Sequence, residues 1–114
     1  MSNPPSLLGG LRPPLFTLGQ VVATPGAIEA LEEHSGGRWQ FAALGILKRH
    51  VRGDWGDLCQ DDHQANEDAL AHDTRLLSAY RLPCQDKPEE PGTKLWVITE
   101  RDRSATTILL PSEY

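Results

Sequence analysis

The hydrophobic period of the chain changes at TRLLSAYRL, residues 74–82, and this change decides the fold class. From Leu76 to Leu82 every second residue falls on one face, which is the two-residue period of a β-strand. Before this stretch, apolar residues recur at three- and four-residue spacings, which is typical of helices. After it, KLWVITE (94–100) and ATTILLP (105–111) have the composition and alternation of strands. The sequence therefore predicts helices followed by an antiparallel β-ribbon.

Three helices are predicted before the ribbon. Thr24 can cap the first, and Pro25 suits its first position because the missing N–H loses no hydrogen bond there. The second helix is predicted over 38–51, where apolar residues follow the helical spacing. The third is predicted over 57–72 and is mostly polar, with Asp57 as its expected cap.

These elements predict an α+β fold in which two or three helices pack on a three- to four-stranded antiparallel sheet. The fourth strand would come from a β-rich segment within residues 15–24, LFTLGQVVAT. Residues 1–14 hold four of the nine prolines and are predicted to be a flexible N-terminal lead-in. Residues 15–114 are predicted to form a single α+β domain, in line with ordinary domain sizes.

The composition narrows the class of protein. A net charge of −5 disfavours nonspecific DNA binding, because such binding depends on neutralising phosphates. No apolar run approaches the roughly 20 residues that span a bilayer, and the N-terminus lacks the pattern of a secretory signal. Two cysteines make no disulfide framework. We therefore expect free thiols and a cytoplasmic protein that does not bind a membrane.

The stretch KRHVRGDWGDL, residues 48–58, places a basic cluster and a tryptophan on one tight turn. One interpretation is structural: a helix end, a turn permitted by two glycines, and Trp55 filling the corner. The functional interpretation gives His50 a role in proton transfer or phosphate binding, since its ordinary pKa lies near neutral pH. Arg49 and Arg52 would then hold an anion.

An acidic segment follows this turn. Residues 57–73 contain six carboxylates and no lysine or arginine, so a helix formed there could present an anionic face to a basic partner. The candidate partner-binding residues of the turn and the acidic segment are Asp54, Trp55, Asp57, Asp61, Asp62, Glu67 and Asp68.

Metal and cofactor chemistry have little support in the sequence. His63 and Glu67 are four residues apart, as are Asp62 and Asn66, so a helix could bring each pair to one face. However, the H-E-x-x-H pattern is missing and no third ligand is evident. Phosphate-binding loops and nucleophile motifs are missing too. We predict no metal site and no cofactor.

Four segments resemble a family of small bacterial proteins borne by plasmids and integrative elements. The segments are LFTLGQVVATPGAIEALEE, RHVRGDWGDL, LLSAYRL and LWVITERDRSATTILLPSEY, spread over residues 15–114. The GDWG turn and the closing pattern ITE-x-DRS-x-TT-x-LLP-x-EY carry the resemblance. It implies a cytoplasmic protein of a mobile genetic element, and it implies no catalytic residues.

A second resemblance is architectural. A helix carrying a histidine, followed by an antiparallel sheet with arginine and hydroxyl side chains, is similar to metal-independent ribonucleases of the barnase/EndoU/RelE type. This resemblance implies that His50 acts as the acid or base. Arg75 or Arg81 would stabilise the charged phosphate. Thr106 or Thr107 would hydrogen-bond to it.

Two functional hypotheses follow. The leading one is a small non-enzymatic interaction protein of a mobile genetic element. It would bind, and regulate or antagonise, a host nucleic-acid-handling complex of the restriction or CRISPR type through its acidic face. The alternative is a metal-independent ribonuclease. The expected partner is a host protein or protein–nucleic acid complex, and an edge strand next to the 83–93 loop could also pair with a second copy to form a homodimer.

Overall fold

Three helices and a four-stranded sheet form the fold of the computed structural model, which describes residues 12–83, 89–90 and 92–114. In chain order the elements are β1 (Gln20–Ala23), α1 (Pro25–Ser35), α2 (Trp39–Val51), α3 (Gln60–His72), β2 (Leu76–Leu82), β3 (Thr93–Thr99), β4 (Ala105–Leu109) and a closing 3-10 turn (Pro111–Glu113). This architecture confirms the predicted α+β class. No helix among the described residues is long and apolar enough to cross a membrane.

The sheet has the strand order β1-β4-β3-β2 and is mixed, which corrects the expected antiparallel sheet. β3 pairs antiparallel with β2 and with β4, as predicted for the ribbon. β1 instead pairs parallel with β4, with Gln20 opposite Ala105 and Ala23 opposite Ile108. Parallel pairing needs a long connection, and the three helices between β1 and the ribbon provide it. The pattern of residues within β1 does not tell whether the strand pairs parallel or antiparallel, so the sequence could not predict the parallel pairing.

One face of the sheet is buried against α1 and α2. Every second residue from Leu76 to Leu82 is buried, which confirms the face predicted for β2. The main core cluster consists of Ala27, Leu31, Ala43, Ile46, Leu47, Tyr80, Leu82, Leu95, Val97 and Ile108. Burial of each large apolar side chain contributes about 1.5–3 kcal/mol, so this cluster holds both helices on the sheet.

The first two helices begin and end close to the predicted residues. Thr24 Oγ1 accepts a hydrogen bond from the Ala27 amide at 3.2 Å, and Pro25 occupies the first helical position. Gly36 ends α1 in the left-handed conformation, at φ 67°. α2 follows after a short turn and directs its apolar stripe into the core. Arg12 lies within the predicted lead-in and contacts the folded part of the chain; most of that lead-in, residues 1–11, lies outside the described residues.

The third helix begins three residues later than predicted. Its N-cap residue is Cys59, whose side chain makes no capping hydrogen bond. Asp57, the expected cap, lies outside the helix, and its amide donates to the Ala79 carbonyl oxygen at 2.6 Å. The Asp57 carboxylate lies 3.3 Å from Arg81 and 3.8 Å from Lys94. Asp57 therefore joins the turn to the sheet and does not cap α3.

The turn before α3 closes the outer edge of β2. The Ala79 amide donates to the Trp55 carbonyl at 3.0 Å, and the Ala79 carbonyl accepts from Asp57. Gly56 is required between these two contacts. Its φ is +80°, and a Cβ on it would lie 2.0 Å from the Ala79 oxygen. The backbone of the turn thus takes the place of a fifth strand over a short length.

Asn66 of α3 continues this closure with its side chain. Its Nδ2 donates to the Leu77 carbonyl at 2.7 Å, and its Oδ1 accepts from the Leu77 amide at 3.1 Å. One amide side chain thus satisfies both outward-facing backbone groups of Leu77. An edge strand next to the 83–93 loop was the expected homodimer contact, and that expectation stays a prediction. The turn and Asn66 occupy the edge of β2 at Leu77 and Ala79.

Replacement of Asn66 by alanine should leave both backbone groups of Leu77 without their partner. We expect the free energy of unfolding to fall by about 1–3 kcal/mol, because polar groups at a covered edge lose hydrogen bonds. Urea unfolding followed by circular dichroism measures this loss. Gln64→Ala is the matched control, since Gln64 is an exposed amide on the same helix. Equal stability of the two variants would contradict the role given to Asn66.

Candidate functional site

His50, the residue on which the ribonuclease hypothesis depends, lies in the core. It is 0% exposed, and the rings of Phe16 and Trp55 pack edge-on against its imidazole at centroid distances of 5.2 and 5.8 Å. The helical spacing places His50 on the buried stripe of α2 together with Ile46 and Leu47. His50 therefore lies on the apolar face of α2, whereas the ribonuclease hypothesis needs an imidazole that RNA can reach.

A chain of hydrogen bonds crosses the core through His50. Thr106 Oγ1 donates to the Leu18 carbonyl at 2.7 Å and so must accept from Thr99 Oγ1, which lies 2.7 Å away. Thr99 then accepts from Nε2 of His50 at 2.9 Å, and Nδ1 of His50 accepts from Ser78 Oγ at 2.5 Å. The Leu18 carbonyl thereby fixes the direction of every bond, and His50 is a neutral imidazole protonated on Nε2.

Burial lowers the pKa of His50 to about 3, and the positive charge of Arg103 adds to the effect. A side chain that is neutral at pH 7 and has both ring nitrogens bonded inside the core has no contact with a polynucleotide. These observations argue against His50 as the acid or base of a ribonuclease. His50 instead ties α2 to β2 and β3.

The other residues proposed for the ribonuclease, Arg75, Arg81, Thr106 and Thr107, do not lie together around an exposed acid–base side chain. Thr106 is buried in the same chain of hydrogen bonds, whereas Thr107 lies on the opposite face of β4. Arg75 is exposed and donates to the Tyr114 hydroxyl at 2.6 Å. Arg81 is exposed on β2 and contacts a carboxylate of the turn. The arginines and the buried hydroxyls therefore face different surroundings.

The protein should lose stability as the pH falls from about 6.5 towards 3. The unfolded chain takes up a proton on His50 near pH 6.5, whereas the folded protein does so only near 3, so acid favours the unfolded state. At pH 5 this one group should cost about 2 kcal/mol relative to pH 7.5. Chemical denaturation at the two pH values measures it, and NMR of the His50 ring should show no titration between them. A folded-state titration near pH 6.5 would contradict the buried neutral form.

Purified protein should leave total RNA intact in the presence of EDTA. The reason is that the single histidine proposed as acid or base is enclosed in the core. A gel assay of RNA integrity measures this directly. Cleavage by the wild-type protein that is lost in Arg75→Ala would contradict this expectation and would restore the ribonuclease hypothesis, because Arg75 is exposed and its loss leaves the core unchanged.

The GDWG turn is a structural corner, as its first interpretation predicted. Trp55 is 1% exposed and offers no surface to a partner. Its indole nitrogen donates to Glu67 Oε2 at 2.9 Å, and Arg12 contacts the same oxygen at 3.1 Å. Asp54 forms an ion pair with Arg49 at 2.7 Å. Both carboxylates therefore have partners within the chain.

The pKa of Glu67 lies below its usual value, chiefly because Arg12 donates a hydrogen bond to it, and the Trp55 bond acts in the same direction. Glu67 thus belongs to the scaffold that holds α3 over Trp55. Arg12 is 55 residues away along the chain, so no local pattern could have predicted this pairing.

Five of the six carboxylates in residues 57–73 fall into two groups, and the sixth, Asp73, is exposed at the C-cap of α3. Asp57 and Glu67 are paired with arginine or lysine of the same chain. Asp61, Asp62 and Asp68 are exposed on α3, and none of them forms an ion pair with a described residue. We call these three residues the α3 carboxylates. They are the part of the predicted acidic face that remains available to a partner.

A groove of about 570 Å3 adjoins the α3 carboxylates. It lies between the first turns of α3 and the face of the sheet opposite the core, where Leu77, Ala79 and Trp96 form its floor. Leu58, Ala65 and Asp62 line the helix side. The remaining lining residues are Asp57, Cys59, Asn66, Arg75 and Lys94. Four of these eleven side chains are charged and one is an amide, so the groove combines apolar surface with charges of both signs.

One end of this groove carries an aromatic stack. The Trp96 and Tyr114 rings meet edge-to-face at 5.7 Å, and the Arg75 guanidinium lies 5.4 Å from the Tyr114 ring centroid. Sequence reasoning missed this feature and the groove. The one available signal was the alternation in β3, which sets Trp96 on the face opposite Val97; what packs on that face depends on distant residues.

Among the described residues, no three His, Cys, Asp or Glu side chains gather closely enough to hold a metal ion. The pairs considered in the sequence have other contacts, since His63 bonds to the Gly56 carbonyl and Asn66 bonds to Leu77. Cys59 is a free, exposed thiol, and Cys84 lies outside the described residues. No family model, curated protein or solved structure matches the chain.

Proposed function

We propose that this chain is a small non-enzymatic interaction protein that binds a basic surface of another protein through the outer face of α3. The observation that carries the proposal is the exposure of the α3 carboxylates, Asp61, Asp62 and Asp68, on a helix without a lysine or arginine. Carboxylates that form ion pairs within the chain support the scaffold. Those that lack an internal ion-pair partner keep their full charge for an external one.

The scaffold supports this use of the helix. α3 is fixed by Asn66 on the edge of β2 and by Glu67 on Trp55, so two contacts set its orientation. Asp61 and Asp68 are seven residues apart, two turns of helix, and lie on one stripe about 10 Å apart. Charges held on a rigid helix lose little conformational freedom when a partner binds.

The groove supplies the apolar part of the same surface. Charge attraction governs the rate and orientation of an encounter, while burial of apolar groups supplies most of the affinity. Asp62 belongs both to the α3 carboxylates and to the groove lining. A partner segment with lysine or arginine next to a large apolar side chain would fit this arrangement, with the apolar group in the groove.

The wider setting rests on the resemblance of the GDWG turn and the closing ribbon to proteins of mobile genetic elements. In that setting the partner is a host protein or protein–nucleic acid complex of a defence system, and the α3 carboxylates substitute for a phosphate backbone in its basic channel. A net charge of −5 supports competition with nucleic acid for such a channel.

Reversing the charge of two α3 carboxylates should abolish partner capture. Affinity capture from native cells at physiological salt, quantified by mass spectrometry, compares wild type with D61K/D68K. The matched control is E29K/E33K, which makes the same charge change at exposed positions of α1. We expect at least one protein that is retained by the control, lost from D61K/D68K, and reduced by Ala65→Gln at the groove wall.

Circular dichroism should show that all three variants remain folded. A prey protein captured equally by wild type and D61K/D68K would contradict the proposed face. Loss from both charge-reversed variants would indicate a general effect of net charge, and that result would contradict the proposal as well.

A further inference from the structure

α2 carries the most exposed of the large hydrophobic side chains among the described residues. Phe41 is 74% exposed, and Leu44 on the same helix face is 49% exposed. Single exposed apolar residues are common, whereas Phe41 and Leu44 lie one helical turn apart on the same face and form a small exposed apolar patch. Trp39, two residues earlier, packs against the core instead, so the exposure of Phe41 is not explained by a frayed helix start.

The face of α2 opposite the core is a stripe formed by Phe41, Leu44, Gly45 and Lys48, which we call the α2 stripe. Gly45 lowers the stability of the helix relative to alanine. A Cβ on Gly45 would meet no atom within 4 Å, so packing inside the chain does not require glycine there. Glycine on an exposed stripe leaves room for a side chain from outside.

The α2 stripe is complementary to itself. Two copies of the helix related by a two-fold axis between residues 44 and 45 would run antiparallel. Each residue before the axis would then lie opposite the residue of the other copy that is equally far after it. Phe41 would then lie opposite Lys48, and Leu44 opposite Gly45. A leucine would fill the space left by a glycine, and an ammonium would lie over an aromatic ring, twice each.

We propose that a second copy of this chain covers the α2 stripe in a two-fold symmetric dimer. The same patch on both copies is what a two-fold axis requires, and this arrangement is the commonest one in soluble oligomers. The proposal is independent of the function proposed for α3.

The charges of α2 fit this occupant. Lys48 forms no ion pair with a described residue, whereas its neighbour Arg49 is paired with Asp54. Because α2 contains no carboxylate, Lys48 has no ion-pair partner on the helix of the second copy, and it would contact the Phe41 ring of that copy instead.

A single helix pair buries less area than a standard interface, and two copies of net charge −5 repel each other. The dimer should therefore be weak.

Sedimentation velocity from low micromolar to millimolar concentration tests the dimer. Wild type should shift from monomer to dimer over this range, and Phe41→Ser should remain monomeric throughout. Val22→Ser is the matched control, because Val22 is an exposed apolar residue, 43% exposed, on the open side of β1. A wild-type protein that stays monomeric, or a dimer lost in Val22→Ser and kept in Phe41→Ser, would overturn the proposal.

Disulfide trapping tests the antiparallel geometry. In a background with C59S and C84S, Gly45→Cys places two thiols beside the two-fold axis, offset by about 1.5 Å along the helices. Gln40→Cys, on the same helix, places them about 13 Å apart along the axes. Under a glutathione buffer, Gly45→Cys should form a covalent dimer at least tenfold faster than Gln40→Cys. Equal rates would overturn the symmetric arrangement, since random collisions or a different contact would explain them.

Discussion

Closure of the outer edge of β2 is the constraint on which the rest of the structure depends. Backbone groups of Trp55 and Asp57 pair with Ala79, and the amide of Asn66 pairs with Leu77. Unpaired strand edges attract other strands, so this closure removes a site of nonspecific association. It also fixes where α3 starts and which way it faces. The groove and the exposed α3 carboxylates exist only because α3 is held against this edge.

The chain of hydrogen bonds through His50 supports that closure from within. It ties the end of α2 to β2, β3 and β4, and the GDWG turn leaves α2 at this point. Polar groups in a core are costly unless all of them are bonded, and here every hydroxyl and both imidazole nitrogens have a partner. A shift of α2 along the sheet would break these bonds, so the chain specifies the position of the helix as well as stabilising it.

The sequence predicted the elements better than the contacts between them. Periodicity placed the three helices and the ribbon, and the TPG sequence placed the start of α1, because these signals are local. The parallel pairing of β1, the groove beneath α3 and the pairing of Glu67 with Arg12 depend on residues far apart in the chain. The carboxylates of residues 57–73 therefore cannot be told apart in the sequence. Their contacts with distant residues show which of them hold the fold together and which remain exposed. His50 shows the same limit: its position on the helix was predictable, but its environment was not.

Amide hydrogen exchange measured residue by residue tests the closed edge most directly. The Leu77 and Ala79 amides face away from β3, so only the contacts with Asn66 and Trp55 protect them. At the other side of the sheet, the Val21 and Ala23 amides face away from β4 and have no described strand beside them. Leu77 and Ala79 should exchange as slowly as amides in the middle of the sheet, and Val21 and Ala23 much faster. Equally fast exchange at both edges would contradict the account, because α3 would then have no fixed position from which to present its carboxylates.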